Sequence, residues 1–310
     1  MEKSGKGRYE RHMTAILEGS GIPVSNQKES YHLPNLIVIG AMKCATTSLH
    51  YYLGLHPEIF MSQEKELNFF LRQGNWHKGI EWYRSHFVGD AKIYGESSPN
   101  YANYPFSQGV QERIHRLVPE AKVIYVVRDP IERILSHYVH QYAVGREQRP
   151  LSEALADLGD NPYVCRSRYA MQVEPYLRSF PEAHVLIITQ EDLYRQREET
   201  LKSVFRFLEV DDSFYCEEFS LIKHPSRGKR RRRHGTAWFD SLSEHILERV
   251  PHTTGQNLGH LLSLSFSHKV ERPQLDETLR QRLINFLEDD VNRFRQLTGY
   301  DVESWSTEQS

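Results

Sequence analysis

The sequence predicts an α/β protein built on a parallel sheet with helices on both faces. Three observations carry this. Apolar runs of strand length, rich in β-branched residues, recur at Leu36–Ile39, Lys122–Val127 and Val185–Ile188. Helical patterns lie between them, and that alternation implies crossover connections and parallel pairing. The first run also leads through Gly40 into a helical pattern from about Thr46. Strand, glycine turn and helix start make a cradle where unpaired N–H groups and the positive helix end meet an anion.

The elements follow in order. Residues 1–32 are polar, contain Gly5, Gly7, Gly19 and Gly21, and read as a flexible lead-in with room for a short helix at Tyr9–Glu18. His56-Pro57 ends the first helical pattern. Aromatic residues at helical spacing predict a core-packing helix over His77–Phe87, followed by a short strand at Lys92–Gly95 and a helix at Gln108–Leu117. The strand Lys122–Val127 runs into Arg128-Asp129-Pro130, where Asp129 caps and Pro130 takes the first position of a helix reaching about Tyr142. Helical patterns at Ser152–Leu158 and Arg168–Phe180 precede the strand Val185–Ile188, and another helix is expected near Glu199–Leu208. Residues 229–272 are irregular, and Leu275–Leu297 reads as a long amphipathic helix with Leu279, Leu283, Phe286 and Leu287 on one side. No internal repeat is visible.

At 310 residues and 39% hydrophobic content the chain suits one large domain, here residues 33–305. A net charge of −2 excludes a global polyanion binder, so no nucleic-acid partner is expected and any basic site is local. Cys44, Cys165 and Cys216 are odd in number and widely spaced, which suggests neither a disulfide framework nor a zinc site. The N-terminus is charged and the longest apolar runs are strand-sized, so neither a signal peptide nor a membrane span is expected and the cytoplasm is the default compartment.

The nucleotide P-loop, G-x-x-x-x-G-K-[ST], would place Gly at 45, Lys at 46 and Ser or Thr at 47 when aligned on Gly40. The chain has Ala45, Thr46 and Thr47 there, and its lysine, Lys43, comes three residues early. A lysine on the loop itself meets the terminal group of a ligand shorter than a triphosphate. The cradle is kept and the triphosphate chemistry is not.

GAMKCATTSL resembles the 5′-phosphosulfate loop of sulfotransferases that use 3′-phosphoadenosine 5′-phosphosulfate (PAPS), in the K-x-[GA]-T-[TS]-[SA]-L form of bacterial and heparan-sulfate enzymes. RDPIERILSHY, with Arg128 and Ser136, resembles the 3′-phosphate motif of the same family, and an arginine fork suits a phosphate. Lys65-Glu66-x-x-Phe69-Phe70 resembles its K-E-x-x-F-F segment, with Asn68 where histidine is frequent. Glu96-Ser97-Ser98-Pro99-Asn100-Tyr101 resembles the E-K-[ST]-P-x-Y turn, with Ser97 in place of its lysine. Ser226-Arg227-Gly228-Lys229 is similar to an S-K-G-R loop with its cations exchanged, and the ending Leu297–Trp305 resembles the tail of bacterial sulfotransferase domains.

The resemblance implies a P-loop-like fold with a central sheet of about five strands and a transfer of the sulfuryl group from PAPS, leaving 3′-phosphoadenosine 5′-phosphate (PAP), without a metal. It implies cofactor contacts from Lys43, Cys44, Ala45, Thr46, Thr47, Ser48, Arg128, Ser136, Tyr169, Arg227, Gly228 and Lys229. Lys43 would stabilise charge on the leaving phosphate oxygen, and Glu66 would take the acceptor's proton, with His137 and His140 as alternative bases. Cys44 reads as a small loop residue rather than a nucleophile. Lys65, Glu66, Ser98 and Tyr101 are expected on the side of a small-molecule or saccharide acceptor, and the basic run Arg230–Arg233 reads either as an acidic-acceptor contact or as a solvated loop. The rival readings are a kinase or other nucleoside-triphosphate enzyme, and a non-catalytic protein that binds PAP or a polyanion.

Overall fold

The computed structural model describes residues 31–221, 230–232, 267–300, 302 and 304–307. The lead-in, its short helix, and Arg227, Gly228 and Lys229 lie outside the described residues. The centre is a five-stranded parallel sheet: β1 (Leu36–Gly40), β2 (Ile59–Met61), β3 (Ile93–Ser97), β4 (Lys122–Val127) and β5 (Val185–Thr189), in spatial order β2-β3-β1-β4-β5. The strand order reverses beside β1, and in such sheets ligands bind at the carboxyl ends of the strands near that switch. β1 is buried along its whole length, as a central parallel strand covered on both faces must be.

Ten α-helices are described, α1 (Thr46–Leu53), α2 (Gly79–Arg84), α3 (Val110–Leu117), α4 (Pro130–Ala143), α5 (Leu151–Ala154), α6 (Pro162–Cys165), α7 (Tyr169–Ser179), α8 (Gln190–Arg195), α9 (Arg197–Leu208) and α10 (Glu277–Thr298). α4 begins as its sequence dictates: Asp129 Oδ1 accepts from the Glu132 N–H at 2.9 Å and Pro130 occupies the first position. A two-stranded antiparallel pair, β6 (Arg230–Arg232) and β7 (Ser267–Lys269), sets Arg230 opposite Lys269 and Arg231 opposite His268.

Several expectations are corrected. β2, only three residues long, follows the first helix where no strand was expected. The aromatic segment from His77 is a 3₁₀ turn at Trp76–Lys78 plus the short α2, and only Tyr83 of α2 is buried. Ser152–Leu158 holds just the single turn α5. The helix near Glu199 starts earlier, at Arg197, and a separate α8 precedes it. On α10, Leu279, Leu283 and Leu287 face the core, but Phe286 is 36% exposed; Ile284, Val291 and Phe294 complete the buried stripe. Each fully buried side chain of this kind contributes roughly 1.5–3 kcal/mol.

α10 packs on α7. Its buried Asp290 accepts from the N–H groups of Ala170 and Met171 at 3.1 and 3.0 Å, capping α7 from outside. Burial pushes the Asp290 carboxyl up to about 6, against those hydrogen bonds. Trp305 is buried against Tyr169 and Phe294, so the C-terminal segment belongs to the core beneath the first loop.

Candidate active site

Gly40 begins the loop after β1 with φ +156°, and a Cβ there would lie 3.0 Å from Ala102 Cβ and 3.2 Å from Tyr125 Cε2. The backbone turns through left-handed Lys43 (φ 74°) and Ala45 (φ 62°) into α1. Ala45 stands at the N-cap and offers no side-chain acceptor, and the first turn of α1 carries no acidic residue. The helix start therefore meets the cleft with its own N–H groups and positive dipole end.

Arg133, fully buried on α4, shapes this loop from behind. Its guanidinium donates to the Met42 carbonyl at 3.2 Å, to Ser167 Oγ at 2.5 Å and to the Tyr163 carbonyl. No carboxylate lies within ion-pair distance of it among the described residues, and burial pulls its pKa down. Cys44 is buried beneath the loop with its thiol 3.9 Å from the Tyr169 hydroxyl. Burial pushes that thiol up to about 11, only partly opposed by Arg128 and Arg133, so it is a neutral packing group. Tyr169, expected at the adenine end, is buried below the loop against Tyr125 and Trp305. Thr46 and Ser48 are buried, and the Ser48 hydroxyl bonds with the phenols of Tyr52 and Tyr194.

The carboxyl end of β4 delivers Arg128 to the same loop. Its Nη1 donates to the Lys43 carbonyl at 3.4 Å and its Nη2 to Glu132 at 3.2 Å. Arg128 Nε is buried without a hydrogen-bond partner, and so is Ser136 Oγ, two turns along α4. A buried unsatisfied donor costs roughly 1–3 kcal/mol, so each of these two fits a ligand that accepts hydrogen bonds.

On the other side of β1, Lys65 and Glu66 sit over the end of β3. The Glu66 N–H donates to the Ser97 carbonyl at 3.0 Å, and Lys65 Nζ donates to Glu66 Oε1 at 3.1 Å. The Glu66 side chain is 42% exposed, as a group that meets a diffusing partner must be. Burial lowers the Lys65 pKa, Glu66 opposes this, and the charge of Lys43 is close enough to add to the lowering. Lys43 thus lies between Arg128, which bonds its carbonyl, and the Lys65–Glu66 pair, whose lysine feels its charge.

The turn after β3 is organised inward. Glu96, fully buried, accepts from the hydroxyls of Tyr83 at 2.5 Å, Tyr101 at 2.8 Å and Ser98 at 2.7 Å. Burial raises its pKa and the three donors oppose that. Ser98 and Tyr101, expected on the acceptor side, are buried with their hydroxyls on Glu96; they order the turn instead of lining the cleft. Ser97, which replaces the family lysine, bonds to His50 Nδ1 at 2.9 Å. His50 Nε2 faces the Ser62 carbonyl at 3.1 Å, so Nε2 carries the proton and Nδ1 accepts from Ser97. Burial, then the charge of Lys65, hold the imidazole down at about 4, hence neutral. His137 is buried too, with Nδ1 3.5 Å from the Arg133 guanidinium, and burial plus that cation keep it neutral.

Arg133, His50, Glu96, Asn100 and Arg166 are the functional neighbours that sequence reasoning missed. One signal was available for Arg133, a charged residue on the apolar face of the helix that follows Arg128. Glu96 and Asn100 stand in the Glu96–Tyr101 motif, which gives no role for either, and His50 and Arg166 gain their partners from distant segments.

A parallel sheet whose first strand feeds an uncapped helix start, with an arginine delivered from the neighbouring strand, is the frame of a P-loop-like transferase. The chain belongs to the sulfotransferase domain family, whose profile matches residues 33–261. It is 28% identical over 291 residues to the mouse bifunctional heparan sulfate N-deacetylase/N-sulfotransferase 4, covering 87% of this chain and 33% of that protein. It is 42% identical over 111 residues to the membrane-associated sulfotransferase kil1 of Dictyostelium discoideum, covering 34% of this chain and 22% of that protein. A sulfotransferase from Alicyclobacillus acidocaldarius superposes with a TM-score of 0.65 at 24% identity, over 88% of this chain and 99% of that one. The chain spans about a third of the length of the heparan-sulfate relatives it matches. Among the described residues no helix is long and apolar enough to cross a membrane.

Proposed function

We propose that this enzyme transfers a sulfuryl group from PAPS to an acceptor hydroxyl or amine on a saccharide or small metabolite, and that residues 33–305 form the single domain that does so, in the cytoplasm. The observation that carries this reading is Arg128, whose guanidinium bonds the Lys43 carbonyl in the loop before the uncapped α1 at 3.4 Å while its Nε stays buried without a partner. When bound, PAPS supplies an activated sulfuryl group on a phosphate leaving group. Arg128 and Ser136 bind the 3′-phosphate, and the N–H groups at Thr46–Ser48 bind the 5′ side. Lys43 holds the negative charge that develops on the departing phosphate oxygen. Glu66 accepts the proton that the acceptor oxygen or nitrogen loses as its bond to sulfur forms. Lys65 keeps that carboxylate oriented through their 3.1 Å bond. Ser98 and Tyr101 act as positioning residues through Glu96, and residues 229–272 belong to the acceptor side.

Thermal unfolding with PAP, with ATP and Mg²⁺, and with neither ligand tests the donor, because a ligand that binds only the folded state raises its stability. A rise with PAP alone supports the reading; a rise with Mg-ATP and none with PAP overturns it. The relatives' names make a saccharide amine the first acceptor to try, followed by a phenol. Loss of turnover in Glu66→Gln with PAP binding retained separates an enzyme from a mere PAP-binding protein.

A further inference from the structure

Glu66 and Asn68 both adopt left-handed backbone, with φ 65° and 49°, although neither is glycine. Such residues are strained by about 1–3 kcal/mol and persist where their surroundings fix them. A chain of side-chain hydrogen bonds fixes these two. Arg166 Nη2 donates to Asn100 Oδ1 at 3.0 Å, Asn100 Nδ2 donates to Asn68 Oδ1 at 3.2 Å, and Asn68 Nδ2 donates to the Glu66 carbonyl at 2.8 Å.

The ends of this chain decide its direction. A guanidinium only donates and a backbone carbonyl only accepts, so both amides between them have one satisfied orientation. The chain begins at a cation already perturbed by its site: burial and the neighbouring Arg133 lower the Arg166 pKa to about 10, and the charge of Glu66 opposes them. Arg166 is thus charged at neutral pH and electrostatically close to Glu66. Its Nη1 meets the Met42 thioether at 3.7 Å, and among the described residues its buried Nε has no hydrogen-bond partner. Met42 belongs to the loop that carries Lys43. One side chain therefore touches the loop of the donor side and, through two amides, the backbone of the acceptor side.

We propose that Arg166, Asn100 and Asn68 form a positioning relay that sets Glu66 relative to the phosphate-binding loop. This rests on Glu66 being the base. The relay transmits geometry, with no proton passing along it. Asn100 sits in the middle, its side chain bonded to Arg166 and Asn68, so its removal isolates the relay.

The test compares wild type, Glu66→Gln, Asn100→Ala and the double variant. It reads PAP released from PAPS with water, 4-nitrophenol or a de-N-acetylated heparan oligosaccharide as acceptor. Asn100→Ala is expected to lower kcat about tenfold or more, since misplacement by an ångström costs up to about a hundredfold. Its KM for PAPS and its stabilisation by PAP should stay within about twofold of wild type, which also shows that it folds. The double variant should be no slower than Glu66→Gln alone, because Asn100 acts only through that carboxylate. Losses that multiply in the double variant, or full turnover in Asn100→Ala, would overturn the relay while leaving Glu66 as base. Wild-type turnover in Glu66→Gln, or no PAP release by wild type with any of the three acceptors, would instead overturn the reading of Glu66 on which the relay stands.

Discussion

Asp129 ties the C-terminal segment to the centre of the domain: its Oδ2 accepts from the Ser306 N–H at 2.5 Å and from the Ser306 hydroxyl at 2.6 Å. The other oxygen caps α4, so one carboxylate fixes both the tail and the helix that carries Ser136. Replacing Asp129 by Ala should cost about 2–4 kcal/mol, combining a lost cap with lost charge-assisted bonds. Urea unfolding measures this, and Ser306→Ala should reproduce only part of the loss.

Arg128→Ala should weaken PAP binding by about tenfold to a hundredfold, and Ser136→Ala by less, since one loses a charged fork and the other a single hydroxyl. Titration calorimetry with PAP reads both. Equal affinity in Arg128→Ala and wild type would remove Arg128 from the 3′-phosphate site.

Lys43→Ala should lower kcat by about a hundredfold or more while the KM for PAPS changes little, as expected of a charge whose value is greatest in the transition state. EDTA should leave wild-type turnover unchanged, because lysine and arginine take the place that Mg²⁺ fills in phosphoryl transfer. A fall on chelation would contradict this assignment of charge.

His50 supplies a pH dependence. Its folded value, about 4, lies below the ordinary 6.5, so the unfolded chain binds more protons between those limits. Its contribution is complete above about pH 6.5 and is lost as pH falls towards 4, by up to about 3 kcal/mol. Wild type should lose stability to urea between pH 7 and 4.5 more steeply than His50→Gln; equal slopes would show that the buried His50 does not govern this window.

The buried, protonated Cys44 should resist iodoacetamide at pH 7.5 in the native protein and react after unfolding, with the half-buried Cys216 labelled first. Mass spectrometry of timed samples reads the order.

Much of the fold was legible because its signals are local. Lys122–Val127 is apolar beyond Lys122, and Asp129 and Pro130 mark the next helix without help from the rest of the chain. β2 was not legible: Ile59–Met61 is too short for a period, and its pairing with Ile93–Gly95 is what makes it a strand. The site divides in the same way. Lys43, Glu66 and Arg128 stand in short motifs, and Arg128 bonds the Lys43 carbonyl. Ser98 and Tyr101 misled because a motif gives residue order but not the direction of a hydroxyl, which the buried Glu96 decides. Asn100 and Arg166 are ordinary polar residues until the fold sets them 3.0 Å apart.

The grip of Arg133 on Met42, Ser167 and Tyr163 has a kinetic consequence. Arg133, itself fixed by Ser167 and the Tyr163 carbonyl, holds the Met42 carbonyl and keeps the phosphate loop in shape before any nucleotide arrives. The entropy of ordering that loop is lost during folding, and association does not incur it again. Stopped-flow binding of PAP should therefore be single-exponential, with a rate that rises linearly with concentration and does not saturate. Arg133→Met, by loosening the loop, should introduce a plateau in that rate.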